Sequence, residues 1–302
     1  MIKVLLVIPA HGQNIFLPKM LDRLSKLSVY PTECRYVIDR PQPGEYEEAL
    51  EIYAKANRIA DGNLGFVKIL KSEGYPEWVG HPQMNAGSDY FLTGYVRNTQ
   101  VEYAIKNDFH YVIFIDGDCV PEPHLISGHV DTLSEKSSPI ATVGRRREII
   151  WNMEDQRMAS PKSVCHLFTD TPRLIDNEFW FVDSGVVWTC NFGLNMYAIK
   201  QLCSMNASLY GREEVFSSEF TGTWGGEDGF LGLECFYSGI PVYAVPNGDN
   251  GIIHQPHVRP MNKYDHPQFI PYLEAMREDL MARMHLHGWL SKEFVPRLRM
   301  TK

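Results

Sequence analysis

The sequence predicts an α/β protein built on a doubly wound, mostly parallel sheet, and three observations predict it. Short apolar runs alternate with segments of helical periodicity from Lys3 to Ile115. The runs are continuously apolar, the pattern of strands covered on both faces. Two acids, Asp39 and Asp116, stand where such runs stop, at the strand ends where sheets of this kind bind ligands.

Lys3 to Ile8 reads as the first strand, and Pro9-Ala-His-Gly-Gln-Asn14 breaks it. Leu17 to Leu27 carries apolar residues at helical spacing. Arg35 to Asp39 is a second strand, Tyr46 to Ala60 a second helix and Gly65 to Leu70 a third strand. Gly94 to Lys106 reads as helix and His110 to Ile115 as a fully apolar strand. The second half is less regular. Ser138 to Gly144, Val182 to Thr189 and Pro241 to Val245 read as strands; Asn195 to Cys203, Asp228 to Tyr237 and Tyr272 to His287 read as helices. The last dozen residues read as a packing tail or a frayed end.

The bulk properties narrow the class. A chain of 302 residues with 44% hydrophobic and 22% charged residues can bury a sizeable core. A formal charge of −8 argues against nucleic-acid binding through the overall field, although Arg145-Arg146-Arg147 is a local basic run. Such a run reads as a solvated face or a set of ion pairs. No stretch reaches the ~18 apolar residues that span a bilayer. The six cysteines are scattered with no Cys-x-x-Cys pair, so reduced, buried thiols and a cytoplasmic location are expected.

Three motifs carry chemistry. Ile115-Asp116-Gly117-Asp118 ends a buried strand in two carboxylates, a costly arrangement unless a cation or hydrogen-bond donors neutralise them. A divalent ion does so and can bridge a diphosphate. The same three residues also suit a turn with capping aspartates. Thr221 to Phe230 holds Trp224-Gly-Gly-Glu227-Asp228: the glycines admit close backbone approach, Trp224 offers a flat face for a sugar, and Asp228 opens an apolar helix. An ionised Asp228 meets the requirement for a general base. Finally, His254 follows the short run Gly251-Ile-Ile and is a candidate metal ligand. His11, His81 and His166 receive no role.

With these residues in hand, the sequence resembles the GT-A glycosyltransferases from residue 3 to about residue 257, especially the family 2 inverting enzymes and the Trp-Gly-Gly-Glu-Asp galactosyltransferases. Val7-Ile-Pro9-Ala to Asn14 resembles the first strand and nucleotide loop. The resemblance makes Asp39 the acid that recognises uracil, Arg97 a nucleotide contact, Asp116 part of the ribose or metal shell and Asp118 a metal ligand. Thr189-Cys-Asn191-Phe resembles the segment lining the sugar pocket. Glu227 would hold donor or acceptor hydroxyls, Asp228 would be the base, and His254 falls where relatives place a third metal ligand. There is no Gln-x-x-Arg-Trp pattern and no membrane-spanning stretch, which argues against a processive synthase, and Glu73 to Asp89, with Trp78 and Tyr90, matches no pattern of the family.

The resemblance implies one catalytic domain over residues 1–260, with a Rossmann-like nucleotide-sugar half (1–120) fused to an acceptor half (121–260), and a helical extension at 261–302. The expected reaction is a single displacement assisted by Mn²⁺ or Mg²⁺, transferring a hexosyl or pentosyl group from a nucleotide sugar, a UDP-sugar foremost, to an acceptor hydroxyl with inversion. Acceptors from glycans and metabolites to a hydroxymethylated DNA base stay open, the last needing a basic surface at Arg145–Arg147 or Arg297 and Arg299. The alternatives are a sugar-nucleotide pyrophosphorylase, disfavoured by a first loop with no Lys or Arg, and a non-catalytic carbohydrate-binding protein on the same scaffold.

Overall fold

The computed structural model describes residues 2–72, 93–134, 137–149, 158–159, 171, 173–174, 190–218, 227–246, 248–255 and 269–291. Its first half runs β1 (Val4–Ala10), α1 (Leu17–Leu24), β2 (Glu33–Asp39), α2 (Glu45–Ile59), β3 (Val67–Ser72), α3 (Thr93–Lys106) and β4 (Tyr111–Ile115). Then follow β5 (Cys119–Pro121), α4 (Leu125–Ser134), β6 (Ala141–Val143), β7 (Arg146–Ile149), β8 (Met158–Ala159), β9 (Arg173–Leu174) and β10 (Asn191–Asn195). The remainder is α5 (Met196–Tyr210), α6 (Glu227–Ser238), β11 (Val242–Ala244), β12 (Ile252–His254) and α7 (Phe269–Leu286).

An eight-stranded sheet in the order β3-β2-β1-β4-β10-β6-β11-β9 forms the centre. Six of its strands point one way and only β10 and β9 are reversed. Successive side chains of a strand point to opposite faces. Leu5 and Val7 accordingly join Val112 and Phe114 in one core, while Leu6 and Ile8 join Ile113 and Ile115 in the other. Two cores explain why these strands are apolar without alternation. α1 and α2 cover one face; α3, α5, α6 and α7 pack on the other.

Local chemistry sets the helix ends. Pro18 lies in the first turn of α1, where its missing N–H breaks no helical bond. α2 starts with Glu45, Glu47 and Glu48 and closes with Arg58, matching the helix dipole at both ends. Asn195 caps α5 by accepting from the Ala198 N–H at 2.9 Å.

β10 zips antiparallel onto β4 over five residue pairs, so the two expected halves share one sheet. That strand was read only as pocket lining. Its period-two pattern is real: Phe192 and Leu194 enter the core between Asn191, Gly193 and Asn195. A second sheet, β5-β12-β7-β8, lies beside the first. It takes up Arg146 and Arg147 as strand residues, so the basic run is structured rather than a solvated face. The expected strand at Val182–Thr189, the stretch Glu73 to Tyr90 and the tail beyond Ser291 lie outside the described residues.

Candidate active site

Strand β4 delivers Asp116, Gly117 and Asp118 at its carboxyl end. The turn is pressed against β1: the Gly117 N–H donates to Pro9 O at 3.0 Å. A Cβ on Gly117 would run into Gln13 Oε1 and stand 2.9 Å from Ala10 Cβ, so glycine is required here for space. Pro9 acts through that carbonyl. The segment folds back at once, since Gln255 N–H donates to Asp118 O at 2.8 Å and β5 pairs antiparallel with β12 in the register Cys119 to His254.

That register explains how two residues 136 positions apart meet. His254 Nε2 lies 3.2 Å from Asp118 Oδ2. Asp118 Oδ1 accepts from the Cys119 thiol at 3.2 Å, and the thiol stays protonated because burial, then its hydrogen bond with Cys190, push it up. The donor set fits a divalent ion. Two donors each about 2.1 Å from one ion and at right angles stand about 3.0 Å apart. The atoms that share a proton here can therefore share a cation. Among the described residues no group of three His, Cys, Asp or Glu side chains converges to hold a metal.

Asp116 faces elsewhere. Its Oδ1 accepts from Arg97 Nη2 at 2.6 Å, and Arg97 Nη1 reaches Glu227 Oε1 at 3.4 Å. Arg97 is 1% exposed and lies across the Phe216 ring with its guanidinium carbon 5.3 Å from the centroid. It thus joins the Asp-Gly-Asp turn to the start of α6. The next residue holds the far side: Asn98 Oδ1 accepts from the Val215 and Phe216 N–H groups at 3.1 and 2.9 Å, and Asn98 Nδ2 donates to Phe216 O at 2.7 Å. Burial pushes the Asp116 carboxyl up to about 6; Arg97 opposes that rise, Asp118 and Asp228 add to it, and Arg146 opposes it.

Glu227 and Asp228 open α6, where the helix dipole favours ionised carboxylates. Asp228 Oδ1 is buried and accepts no hydrogen bond among the described residues. An oxygen in that state can accept a proton from a bound hydroxyl. Trp224 and its two glycines precede this helix and lie outside the described residues.

At the end of β2, Asp39 is fully buried. Ser72 Oγ donates to Asp39 Oδ1 at 3.3 Å, Arg40 Nη2 reaches Oδ2 at 3.4 Å, and His11 Nδ1 donates to the Asp39 carbonyl at 3.0 Å. His11, assigned no role from sequence, Arg40 and Ser72 are the partly exposed members of this cluster. Arg40 holds a left-handed backbone with φ 43°, an uncommon conformation for such a residue. Asn14 spends its amide donors on Glu45 O and Glu48 Oε2, both at 2.8 Å, and so anchors α2.

Asn191 is also wholly buried. Its Oδ1 accepts from His129 Nε2 at 2.8 Å and its Nδ2 donates to Arg145 O at 3.0 Å. Its side chain therefore ties α4 to the start of the second sheet. The structure brings Asp116, Asp118, His254, Arg97, Glu227 and Asp228 into one region, with Asp39 and Asn14 at the β2 side. Asn98 stands in the Arg97-Asn98 pair that carries part of the resemblance, whereas the buried His129 gives no sequence signal until its partners Asn191 and Thr142 are known.

No helix among the described residues is long and apolar enough to cross a membrane. No family model matches the sequence, and neither does any curated protein. Solved structures do. S. aureus TarS is similar at a TM-score of 0.55 and 12% identity over 91% of this chain, which spans only 39% of that chain. TarS 1-349 in complex with UDP-GlcNAc gives 0.56 and 12% over 91% of this chain and 66% of that one. TarS 1-349 in complex with UDP gives 0.53 and 14% over 98% and 78%. At such identity the likeness is one of architecture, and this chain has the GT-A glycosyltransferase fold.

Proposed function

We propose that the protein is an inverting glycosyltransferase that moves a sugar from a nucleotide sugar, a UDP-sugar foremost, to an acceptor hydroxyl on a glycan or metabolite. The observation that carries this reading is the Asp118–His254 pair at 3.2 Å, set near the carboxylates that open α6 by the Asp116–Arg97–Glu227 chain of contacts. UDP and UDP-GlcNAc in the TarS complexes support a uridine nucleotide as donor.

Asp118 and His254 would hold Mn²⁺ or Mg²⁺, which supplies charge neutralisation for a departing diphosphate. The chain's own residues do the rest. Asp228 takes the proton of the acceptor hydroxyl as its oxygen attacks the anomeric carbon from the face opposite the leaving group. Glu227, fixed by Arg97, orients sugar hydroxyls. The Asp39 cluster, with His11 and Arg40 at its surface, reads the base.

The test is a donor screen. The protein is mixed with Mn²⁺ and a panel of nucleotide sugars, and nucleotide release is followed. Release confined to one or two donors and abolished by chelation is expected. No release from any donor, with no binding of UDP by calorimetry, overturns the proposal.

A further inference from the structure

Arg145, Arg146 and Arg147 meet at the start of β7, and strand pairing divides them between two faces. Arg147 Nη1 pairs with Glu122 Oε1 at 2.8 Å. A Cβ on Gly251 would stand 2.8 Å from Glu122 Oε2 and 3.3 Å from Arg145 Cβ. Arg145, Arg147 and Glu122 therefore share one side of the second sheet. Side chains alternate along a strand, so Arg146 belongs to the other side.

Arg146 pairs in register with Ile252, two residues before His254 on β12, and His254 pairs with Cys119 on β5. The side that carries Arg146 is therefore the side of His254 and Asp118. The charges of Arg147 and Arg145 both act on Glu122.

The other arginine of the site cannot serve an incoming anion. Arg97 is 1% exposed and committed to Asp116 and Glu227. A diphosphate carries charge that must be met within a region already holding Asp116, Asp118, Glu227 and Asp228. A guanidinium suits that task, since its planar fork matches two phosphate oxygens.

We propose that Arg146 binds the diphosphate of the donor, reaching the Asp118–His254 end of the site from β7. This rests on the nucleotide-sugar reading above. The residue is a binding residue on the leaving group, and its neighbours Arg145 and Arg147 are structural.

The test uses the full chain with UDP, inorganic pyrophosphate and uridine, each with Mg²⁺, for wild type, Arg146→Gln and Arg146→Lys, with melting curves to establish folding. Arg146→Gln is expected to weaken UDP and pyrophosphate by roughly ten- to hundredfold and to leave uridine within about twofold. Arg146→Lys keeps the charge without the fork and is expected to fall between; should the glutamine variant not fold, the lysine variant alone decides. Unchanged diphosphate affinity in a folded variant overturns the inference, and so does an equal loss for uridine. Wild-type protein that binds neither UDP nor pyrophosphate overturns the proposed function itself, an outcome distinct from wild-type binding to which Arg146 is indifferent.

Discussion

His129 offers a quantitative test of how the second half is held together. The ring lies fully buried between α4 and the sheet. Its Nε2 donates to Asn191 Oδ1 at 2.8 Å, and Nδ1 lies 2.7 Å from Thr142 Oγ1, whose hydroxyl donates to it. Asn191 passes the contact on to Arg145 O, which also accepts from the Ile252 N–H at 2.9 Å. β7 and β12, and with them His254, thus hang on a neutral imidazole. Protonating Nδ1 would turn the Thr142 hydroxyl towards Gly193 O, 3.3 Å away, and leave a buried charge with no carboxylate to meet it among these contacts.

Burial pushes the imidazole from 6.5 down to about 4, with the Asn191 hydrogen bond opposing. Below pH 6.5 the unfolded chain takes up a proton that the folded chain refuses, so stability present above 6.5 is lost as pH falls towards 4. With 1.36 kcal/mol per unit, the loss amounts to about 2 kcal/mol at pH 5 and about 3 kcal/mol near pH 4. Urea unfolding of wild type and His129→Gln across pH 7.5 to 4.5 measures it. Glutamine keeps a donor and an acceptor without the titration, so the difference between the two curves should shrink by about 2 kcal/mol from pH 7.5 to 5. Parallel curves would refute the reasoning, because carboxylates common to both proteins would then account for the whole acid dependence.

Other predictions follow from single contacts. Asp228→Asn should lower transfer by roughly 10²- to 10⁴-fold while UDP affinity stays within about twofold; equal loss of binding and turnover counts against a base. His254→Ala should raise the Mn²⁺ concentration for half-maximal activity by about tenfold or more, and an unchanged metal dependence removes His254 from the ligand set. Gly117→Ala should cost about 1–3 kcal/mol in unfolding experiments because β1 backbone and Gln13 occupy the space, and a neutral substitution would mean the turn can shift. Glu234, fully buried, is pushed well above the carboxylate range by burial, with Asn206 opposing and Glu214 adding. A raised folded-state value means stability is lost as pH climbs above the unfolded value, so Glu234→Gln should gain on wild type between pH 4.5 and 8.

The parallel half of the fold was legible because each strand is local in its information. Val4–Ala10 and Tyr111–Ile115 declare themselves by apolar runs of the right length, and the helices between them by spacing. Element boundaries moved by one to three residues at most through β4. The second half was harder because its strands are short and satisfied by distant partners. β6 and β11, three residues each, lie inside the strands expected at Ser138–Gly144 and Pro241–Val245, whereas β12, also three residues, is too short for periodicity to register. α4 went unread behind Pro121 and Pro123, with Gly128 in its interior; that glycine fits because a Cβ would stand 2.8 Å from Asn250 and 2.9 Å from Val245.

The site divides along the same line. Asp116, Asp118, Glu227 and Asp228 could be picked out because each sits at the end of a readable element. What joins them could not. Nothing in the sequence shows that Arg97, 1% exposed, bridges Asp116 and Glu227. The arginine run reads in sequence as a solvated face or a set of ion pairs, and which arginine pairs depends on alternation across a strand whose register the sequence does not show. Pairing of β7 with β12 turns three adjacent like charges into two roles: Arg147 neutralised by Glu122, Arg146 turned towards the carboxylates. An acidic site that must accept an anionic ligand needs such a residue, and in this fold the sheet register decides which of the three it is.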